Sequence, residues 1–274
     1  MKILIIDNDV VTANLLKARL MPLGHIVEVT EKNDGVEKIV GDGWDVIFFD
    51  PSPLTTLRPS VLSLRRINRR NVYMILMSQT LTFQDGLTSG FNDFMAKPLD
   101  MNLMLDKIDN AAGLMSLQKH LANDKEDFPS AGGVIAKSAF NQLFLSCLDR
   151  ADRYGELSHI IFITIDNYAQ ITSEAGPYDA NIVSAKLASH LVRLRRQSDI
   201  IAQTKENEYA LLLLRPMTES EPVEAAHRFA ESLSKCTDLP YDSQKSINVR
   251  VFLMRLPTGE TGVEHRMAIY QEQL

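Results

Sequence analysis

Four short apolar runs in the first hundred residues each end in polar side chains that could do chemistry together. The groups that follow these runs, in chain order, are Asp7-Asn8-Asp9, Asp50, Ser78 and Lys97-Pro98. If each run is a buried strand of one open parallel sheet, their carboxyl ends face a shared crevice. Carboxylates, a hydroxyl and an ammonium would then meet there. This set of groups suits the acceptance of a phosphoryl group on Asp50.

A divalent cation is expected in this crevice, because a carboxylate repels an incoming phosphoryl group. Hard oxygen ligands suit Mg²⁺, and Asp7, Asp50 and the backbone carbonyl of Ser52 could supply them. Lys97 would bind the oxygens of the transferred group as a point charge. The sequence therefore predicts a magnesium-assisted acceptor site.

Two further side chains could respond to phosphorylation. Ser78 could hydrogen-bond the phosphorylated Asp50 and draw its own loop inward. Phe94, three residues before Lys97, could change rotamer when that loop moves. Polar residues also follow the strands of any parallel α/β domain, so a purely structural role is the alternative.

The elements that must position these groups alternate between strand and helix. We predict strands near 3–6, 26–29, 45–49, 73–77 and 94–96, with helices over Val11–Leu23, Asp34–Val40 and Val61–Ile67. This alternation is typical of an α/β fold, with a doubly wound parallel sheet of five strands covered by helices on both faces. A long helix is predicted from Asp100 to about Asn123.

Residues 1–120 resemble the receiver domain of two-component response regulators. The resemblance rests on the order of Asp7-Asn8-Asp9, Asp50, Ser78, Phe94 and Lys97-Pro98. It implies a flavodoxin-like fold and phosphorylation of Asp50 by a histidine kinase or a phosphotransfer protein.

The sequence departs from the receiver pattern at two places. The family usually has two adjacent acids after the first strand, and the second is a direct metal ligand. Asn8 holds that place here, and an amide oxygen can ligate magnesium but contributes no negative charge. Pro51 and Pro53 stiffen the loop after Asp50, since proline fixes its φ angle. We therefore expect a weakened Mg²⁺ site, with Asp9 pointing elsewhere.

Composition sets the broad class of the chain. At 274 residues it is long enough for two domains, and 45% apolar with 23% charged residues is typical of a globular protein. The net charge of -6 argues against broad nucleic-acid binding. No apolar run reaches the ~20 residues that span a bilayer, and the N-terminus has no signal-peptide pattern. We expect a cytoplasmic protein with buried thiols at Cys147 and Cys236.

A second domain begins after a polar stretch. We place the first domain at 1–122, a linker at 123–133 and the second domain at 134–274. Its predicted helices are 137–154, 167–173, 179–196 and 221–236, and its predicted strands are 159–165, 199–204, 208–214 and 247–255. A hairpin together with crossover helices predicts an α+β domain with a mixed central sheet.

The layout of residues 130–274 resembles the diguanylate cyclase (GGDEF) domain. Phe162–Tyr168 falls where that family has its first metal-binding strand, and Arg196-Gln197-Ser198-Asp199 precedes the hairpin as an RxxD motif. The family's chemistry is metal-assisted attack of a ribose 3′-hydroxyl on the α-phosphate of GTP. It needs acidic ligands for metal ions, and glycines that let phosphates approach the hairpin turn.

The catalytic positions implied by this resemblance are replaced. The hairpin turn reads Lys205-Glu206-Asn207-Glu208-Tyr209, so two glycines and one acid are changed. Thr164 stands where the first metal carboxylate is expected, and Thr172 and Asn181 stand where guanine would be held. Side chains at the glycine positions would obstruct the phosphates, and nothing would offset the charge of a triphosphate. We expect a degenerate domain without enzymatic activity.

Arg196 and Asp199 survive from the family's inhibitory site for cyclic di-GMP. An arginine can bind phosphate or guanine bidentately, and an aspartate can accept from guanine N–H groups. The alternative is a helix end at which basic residues meet the dipole.

A second basic cluster, Arg65-Arg66 with Arg69-Arg70, is expected to be a solvated face or a partner-docking surface.

The sequence as a whole favours a response regulator that works as a switch. Phosphorylation of Asp50 would act through the helix from Asp100 on dimerisation or on the second domain. That domain would sense cyclic di-GMP or bind a downstream signalling protein. The alternatives are a scaffold that binds neither phosphate nor nucleotide, and an active cyclase with substitute ligands.

Overall fold

The structure is a computed structural model that describes residues 1–30, 43–54, 56–68, 72–239 and 246–270. The chain forms two compact units, which are described separately. The first comprises Met1–Leu114 and Cys147–Glu156, and the second comprises Met115–Ser146 and Leu157–Leu274. Among the described residues, no helix has both the length and the apolar character needed to cross a membrane.

The first unit contains a parallel five-stranded sheet in the order β2-β1-β3-β4-β5. The strands are β1 (Lys2–Ile6), β2 (Ile26–Thr30), β3 (Val46–Phe49), β4 (Tyr73–Ser78) and β5 (Asp93–Ala96). Every residue of β3 and β4 is buried, as expected for strands of a parallel sheet that is covered on both faces. The predicted α/β sheet of five strands is confirmed.

Helices flank this sheet. They are α1 (Val10–Leu20), α2 (Arg58–Asn68), α3 (Phe83–Ser89) and α4 (Met101–Leu121). The predicted helix over Asp34–Val40 lies outside the described residues. The sequence analysis did not identify α3, a helix of seven residues that begins with a capping box between Thr82 and Asp85. That capping box was the available signal.

For Arg65 of α2, the prediction of a solvated basic face is wrong, because its side chain is largely buried. Its side chain is only 13% exposed, and its guanidinium donates to the carbonyls of Gly90 at 2.7 Å and Val72 at 3.1 Å. It also donates to Oδ1 of Asn92 at 2.9 Å. Arg65 therefore fastens α2 to the strand ends, while Arg66 is exposed. Arg69 and Arg70 lie outside the described residues.

The second unit contains a five-stranded sheet in the order β10-β9-β6-β8-β7. Its strands are β6 (Ser158–Ile165), β7 (Ile200–Lys205), β8 (Glu208–Leu213), β9 (Ile247–Leu256) and β10 (Thr261–Ile269). The ladders joining these strands are antiparallel, whereas we expected a mixed sheet. Among the described residues, parallel pairing here is confined to a bridge between Ile135 and Ala202.

Among the described residues, four further helices belong wholly or partly to this unit, which also contains the end of α4. They are α5 (Lys137–Tyr154), α6 (Tyr168–Ala175), α7 (Pro177–Leu194) and α8 (Glu221–Ser234). Each matches a predicted helix to within two residues at either end. The apolar faces of α7 and α8 pack with β6, β8 and β9 in one core cluster. This unit therefore contains the β7–β8 hairpin, the end of β6 and the start of α8.

Candidate functional site

The carboxyl edge of the first sheet brings together three of the predicted acceptor-site residues. Asp7 follows β1 and Asp50 follows β3, and both are buried, with 1% and 7% of their surface exposed. Lys97 follows β5 and places its ammonium 2.7 Å from Oδ2 of Asp7. The same nitrogen contacts Oδ2 of Asp50. The predicted convergence of two carboxylates and an ammonium is therefore present.

The protonation of Lys97 follows from this arrangement. Burial by itself would lower the pKa of its ammonium, but hydrogen bonds to Asp50 and Asp7 and their negative charges outweigh burial. The net result is a pKa above the ordinary lysine value. Lys97 is thus a permanent cation between two carboxylates, and the three side chains together carry one net negative charge.

The remaining oxygens at this edge accept from nearby protein donors. The backbone N–H of Asp9 donates to Oδ1 of Asp7 at 2.8 Å, and that of Ser52 donates to Oδ1 of Asp50 at 2.8 Å. The side-chain amide of Asn8 donates to the carbonyl of Ser52 at 2.8 Å. Asp9 caps α1, where its carboxylate accepts from Val11 and Thr12. It therefore points away from the site, as expected.

Ser78 and Phe94 lie where the prediction placed them in the sheet. Ser78 ends β4 and is buried, and its hydroxyl oxygen accepts from the backbone N–H groups of Thr80 and Leu81 at 3.1 Å. The hydroxyl thus shapes the loop after β4. Phe94 is partly buried and packs against the core of the first unit, as Leu81 also does.

A divalent ion fits this edge poorly. The predicted donors were Asp7, Asn8, Asp50 and the carbonyl of Ser52. Both carboxylates are bound to Lys97, the Ser52 carbonyl accepts from Asn8, and Asn8 presents an N–H donor instead of an oxygen. An ion would have to displace several of these bonds and would meet one net negative charge.

The turn between β7 and β8 is stabilised by a buried acid. Glu208 is buried at 5% exposure, and its carboxylate accepts from Lys205 Nζ at 2.9 Å and Thr204 Oγ1 at 2.9 Å. Thr164, its neighbour on β6, lies 3.4 Å from the same carboxylate. The ammonium of Lys205 thus provides the positive charge beside this acid.

Asp166, a further acid near this turn, is paired in the same way. Asp166, just after β6, forms an ion pair with Arg250 of β9 at 3.2 Å. Asn207, at the position where the resemblance implies a catalytic acid, donates to the carbonyl of Ile165 at 3.0 Å. It ties the hairpin to the end of β6. Glu208 and Asp166 are therefore each paired with a basic side chain of this chain.

The remaining turn positions are also held by hydrogen bonds. The backbone carbonyl of Glu206 accepts from Ser184 Oγ at 2.8 Å. The buried hydroxyl of Tyr209 donates to the carbonyl of Ser184 at 2.9 Å. Burial raises the pKa of Tyr209, although its bond to Ser184 acts in the opposite direction.

A cavity of about 280 Å³ lies beside this turn. Its lining includes Asn181, Ser184 and Gln203. Oδ1 of Asn181 accepts from the hydroxyl of Tyr168 at 3.0 Å, and Thr172 donates to the carbonyl of Tyr168 at 2.9 Å. The two residues at guanine-holding positions are thus engaged within the chain.

A second cavity, of about 320 Å³, contains both surviving motif residues. Arg196, Asp199 and Glu221 line it. Arg196 forms an ion pair with Glu221, and its backbone N–H donates to Oδ2 of Asp199 at 2.9 Å. Hydrogen bonds from the Met217 backbone and from Arg196 lower the pKa of Glu221. We refer to this cavity as the arginine pocket.

Arg228 is the residue of the arginine pocket that sequence reasoning missed. It lies on α8 and lines the same cavity as Arg196. Its Nε and Nη2 atoms are buried and have no hydrogen-bond partner among the described residues. With Arg215, the pocket has three arginines against two carboxylates. An excess of positive charge with buried, unpaired donors is typical of a site for an anion.

One family model matches the C-terminal part of the chain. Residues 130–261 match the family model described as diguanylate cyclase, GGDEF domain. No curated protein matched the chain. The chain therefore contains a C-terminal GGDEF domain, as the resemblance implied. The first unit has the 2-1-3-4-5 strand order of flavodoxin-like and receiver domains, so the N-terminal domain is receiver-like.

Several solved structures are similar to parts of the chain. A two-component response regulator from Clostridium difficile is 23% identical, covers 42% of this chain and 98% of its own, and has a TM-score of 0.37. The GGDEF domain of PA1120 (YfiN or TpbB) from Pseudomonas aeruginosa is 20% identical, with coverages of 44% and 74% and a TM-score of 0.37. A third match is a chain from the co-crystal structure of the Saccharomyces cerevisiae histidine phosphotransfer protein Ypd1 and the receiver domain of Ssk1. It is 18% identical, covers 42% of this chain and 90% of its own, and has a TM-score of 0.37.

Proposed function

We propose that this chain is a response regulator whose GGDEF domain binds cyclic di-GMP without synthesising it. The observation that carries the proposal is the position of Arg228, whose buried guanidinium nitrogens have no partner among the described residues. Arg228 lines the same pocket as Arg196 and Asp199. The pocket therefore offers donors for a phosphate or a guanine edge next to a carboxylate.

Each group in the arginine pocket has a role suited to a guanine dinucleotide. Arg228 and Arg196 would bind phosphate oxygens or the O6 and N7 acceptors of guanine bidentately. Asp199 would accept from guanine N1–H and N2–H. Arg196 is more than half exposed, so its ion pair with Glu221 can exchange for a ligand at small cost.

The charges around the hairpin support a role without catalysis. Phosphoryl chemistry on a triphosphate depends on metal ions that neutralise developing charge. Here Glu208 is paired with Lys205, Asp166 is paired with Arg250, and Asn207 adds no charge. Metal ions and GTP would have to compete with these internal pairs.

Calorimetric titration of cyclic di-GMP tests the binding proposal. We expect the unmodified protein to bind, and Arg228→Ala and Arg196→Ala each to weaken binding at least roughly tenfold, as for loss of a charge-assisted bidentate contact. Arg193→Ala is the matched control, because Arg193 is exposed on α7 and does not line the pocket. Absence of binding to the unmodified protein would contradict the proposal and leave the domain as a protein-interaction module.

Incubation with GTP and Mg²⁺ tests the absence of catalysis. We expect no cyclic di-GMP from the unmodified protein and none from Asn207→Asp, because one restored acid leaves Thr164 and both turn side chains unchanged. Chromatography of the nucleotides provides the measurement. Product formed by the unmodified chain would show that it is a cyclase with substitute ligands.

Phosphoryl acceptance at Asp50 is a second candidate function. It is favoured by Lys97, which bridges Asp7 and Asp50, and by Ser78 at the end of the neighbouring strand. The donor would be a histidine kinase or a phosphotransfer protein. Exposure to phosphoramidate with Mg²⁺, followed by intact-mass measurement, should add one phosphoryl group that Asp50→Asn abolishes. An unchanged mass would favour a scaffold that does not use phosphorylation.

A further inference from the structure

We propose that Asn8 takes the place of a divalent cation in the receiver-like domain. Its side-chain amide donates to the backbone carbonyl of Ser52 at 2.8 Å. This bond joins the loop after β1 to the loop after β3, which are 44 residues apart in sequence. We call this bond the Asn8 clasp. It links the two loops that a metal ion with ligands from both would otherwise link.

The oxygens available to an ion are already engaged. Asp7 accepts from the Asp9 backbone and forms an ion pair with Lys97, and Asp50 accepts from the Ser52 backbone and from Lys97. The clasp engages the fifth oxygen, the Ser52 carbonyl. A divalent ion needs six or more oxygen ligands, so it would have to replace these donors or share the oxygens with them.

The net charge at the sheet edge supports the same proposal. Two carboxylates and the Lys97 ammonium leave one net negative charge at the sheet edge. An aspartate at position 8 would double that charge and replace an N–H donor with an oxygen acceptor. Because attraction between an ion and a charge scales with the charge, the identity of residue 8 controls whether an ion binds.

The clasp keeps the polarity of the contact that an ion would make with the Ser52 carbonyl. A cation and an amide N–H both present positive charge to a carbonyl oxygen, so each can hold the Ser52 carbonyl in the same direction. The amide carries only a partial charge, but it is covalently attached to the loop after β1 and cannot dissociate as an ion can. The loop between Asp50 and Leu54 is therefore fixed without an ion, and its shape does not depend on the supply of one.

Titration with Mn²⁺, followed by electron paramagnetic resonance of the free ion, tests the proposal on the full chain. We expect Asn8→Asp to bind Mn²⁺ roughly tenfold or more tightly than the unmodified protein, since it adds charge and removes the clasp. Asn8→Ala removes the clasp without adding charge, so it should bind Mn²⁺ equally or slightly more tightly. Asn14→Asp, which adds the same charge at an exposed position of α1, should match the unmodified protein.

Two outcomes would overturn the proposal. The unmodified protein could bind Mn²⁺ as tightly as Asn8→Asp, which would mean that the clasp opens freely for the ion. Alternatively, Asn8→Ala could bind Mn²⁺ more weakly than the unmodified protein, which would make the Asn8 amide oxygen a ligand. Circular dichroism of all four proteins checks that each is folded. The measurement involves neither phosphorylation nor nucleotide, so it stands apart from the functions proposed above.

Discussion

Lys205 places its ammonium 2.9 Å from Oε2 of Glu208, three residues further along the hairpin. The carboxylate of Glu208 is 7% exposed, whereas Lys205 is about half exposed. A buried acid is thus neutralised by a side chain that reaches it from the solvent side. This pair occupies the turn at which active members of the resembled family would hold phosphate and metal.

Removal of the ammonium should destabilise the second unit. Lys205→Met leaves the buried Glu208 carboxylate without its charged donor, which we expect to cost about 1–3 kcal/mol in the free energy of unfolding. Lys235→Met is the matched control, because the Lys235–Glu231 pair is about 70% exposed on both sides and should cost under about 1 kcal/mol. Urea denaturation of both variants measures the difference, and equal losses would contradict this assignment.

Two neighbouring arginines of α2 should behave very differently. Arg65→Met leaves the carbonyls of Gly90 and Val72 without their guanidinium donor, and we expect a loss of about 3 kcal/mol or more, as for a broken buried network. Arg66→Met changes an exposed side chain and should stay within about 0.5 kcal/mol. Thermal unfolding of the two variants separates a structural arginine from a surface one.

Stability of the second unit should fall between pH 7 and pH 5 because of His159. Burial, with a smaller contribution from the positive charge of Arg255, lowers the pKa of His159 from 6.5 to about 4. Between these values the unfolded chain binds more protons than the folded chain, so stability rises with pH and is lost as pH falls. The linkage amounts to roughly 2 kcal/mol between pH 7 and pH 5.

The variant His159→Leu isolates this linkage. It has no imidazole to protonate in the unfolded chain, so its stability should change about 2 kcal/mol less than that of the unmodified protein over the same interval. Urea denaturation followed by circular dichroism at the two pH values provides the comparison. The same pH dependence in both proteins would show that other groups control it.

Much of the fold could be predicted from the sequence, because buried strands of a parallel sheet read as unbroken apolar runs. The runs ending at Asp50 and Ser78 gave strand boundaries within one residue of β3 and β4. β10 was missed because it is a largely exposed edge strand whose sequence alternates polar and apolar residues only weakly. An edge strand buries too little apolar surface to leave a strong pattern.

The candidate sites were predictable only in part. Asn8 and Arg196 were identified by their positions, but the direction of the Asn8 amide depends on the distant Ser52 carbonyl. Arg228 lies 32 residues after Arg196 on another helix, and only the packing of α8 brings it to the same pocket. These contacts form only when distant segments of the chain pack together, so no local sequence pattern around Arg228 could have indicated its place in the pocket.

The pairing of Lys205 with Glu208 has a consequence for the conditions under which the hairpin keeps its shape. An ion held by a protein exchanges with the medium, and its occupancy follows the concentration of the free ion. An ammonium tethered to the neighbouring turn has an effective concentration set by its own flexible stem. The counter-charge that Lys205 provides to Glu208 therefore does not depend on the supply of metal ions.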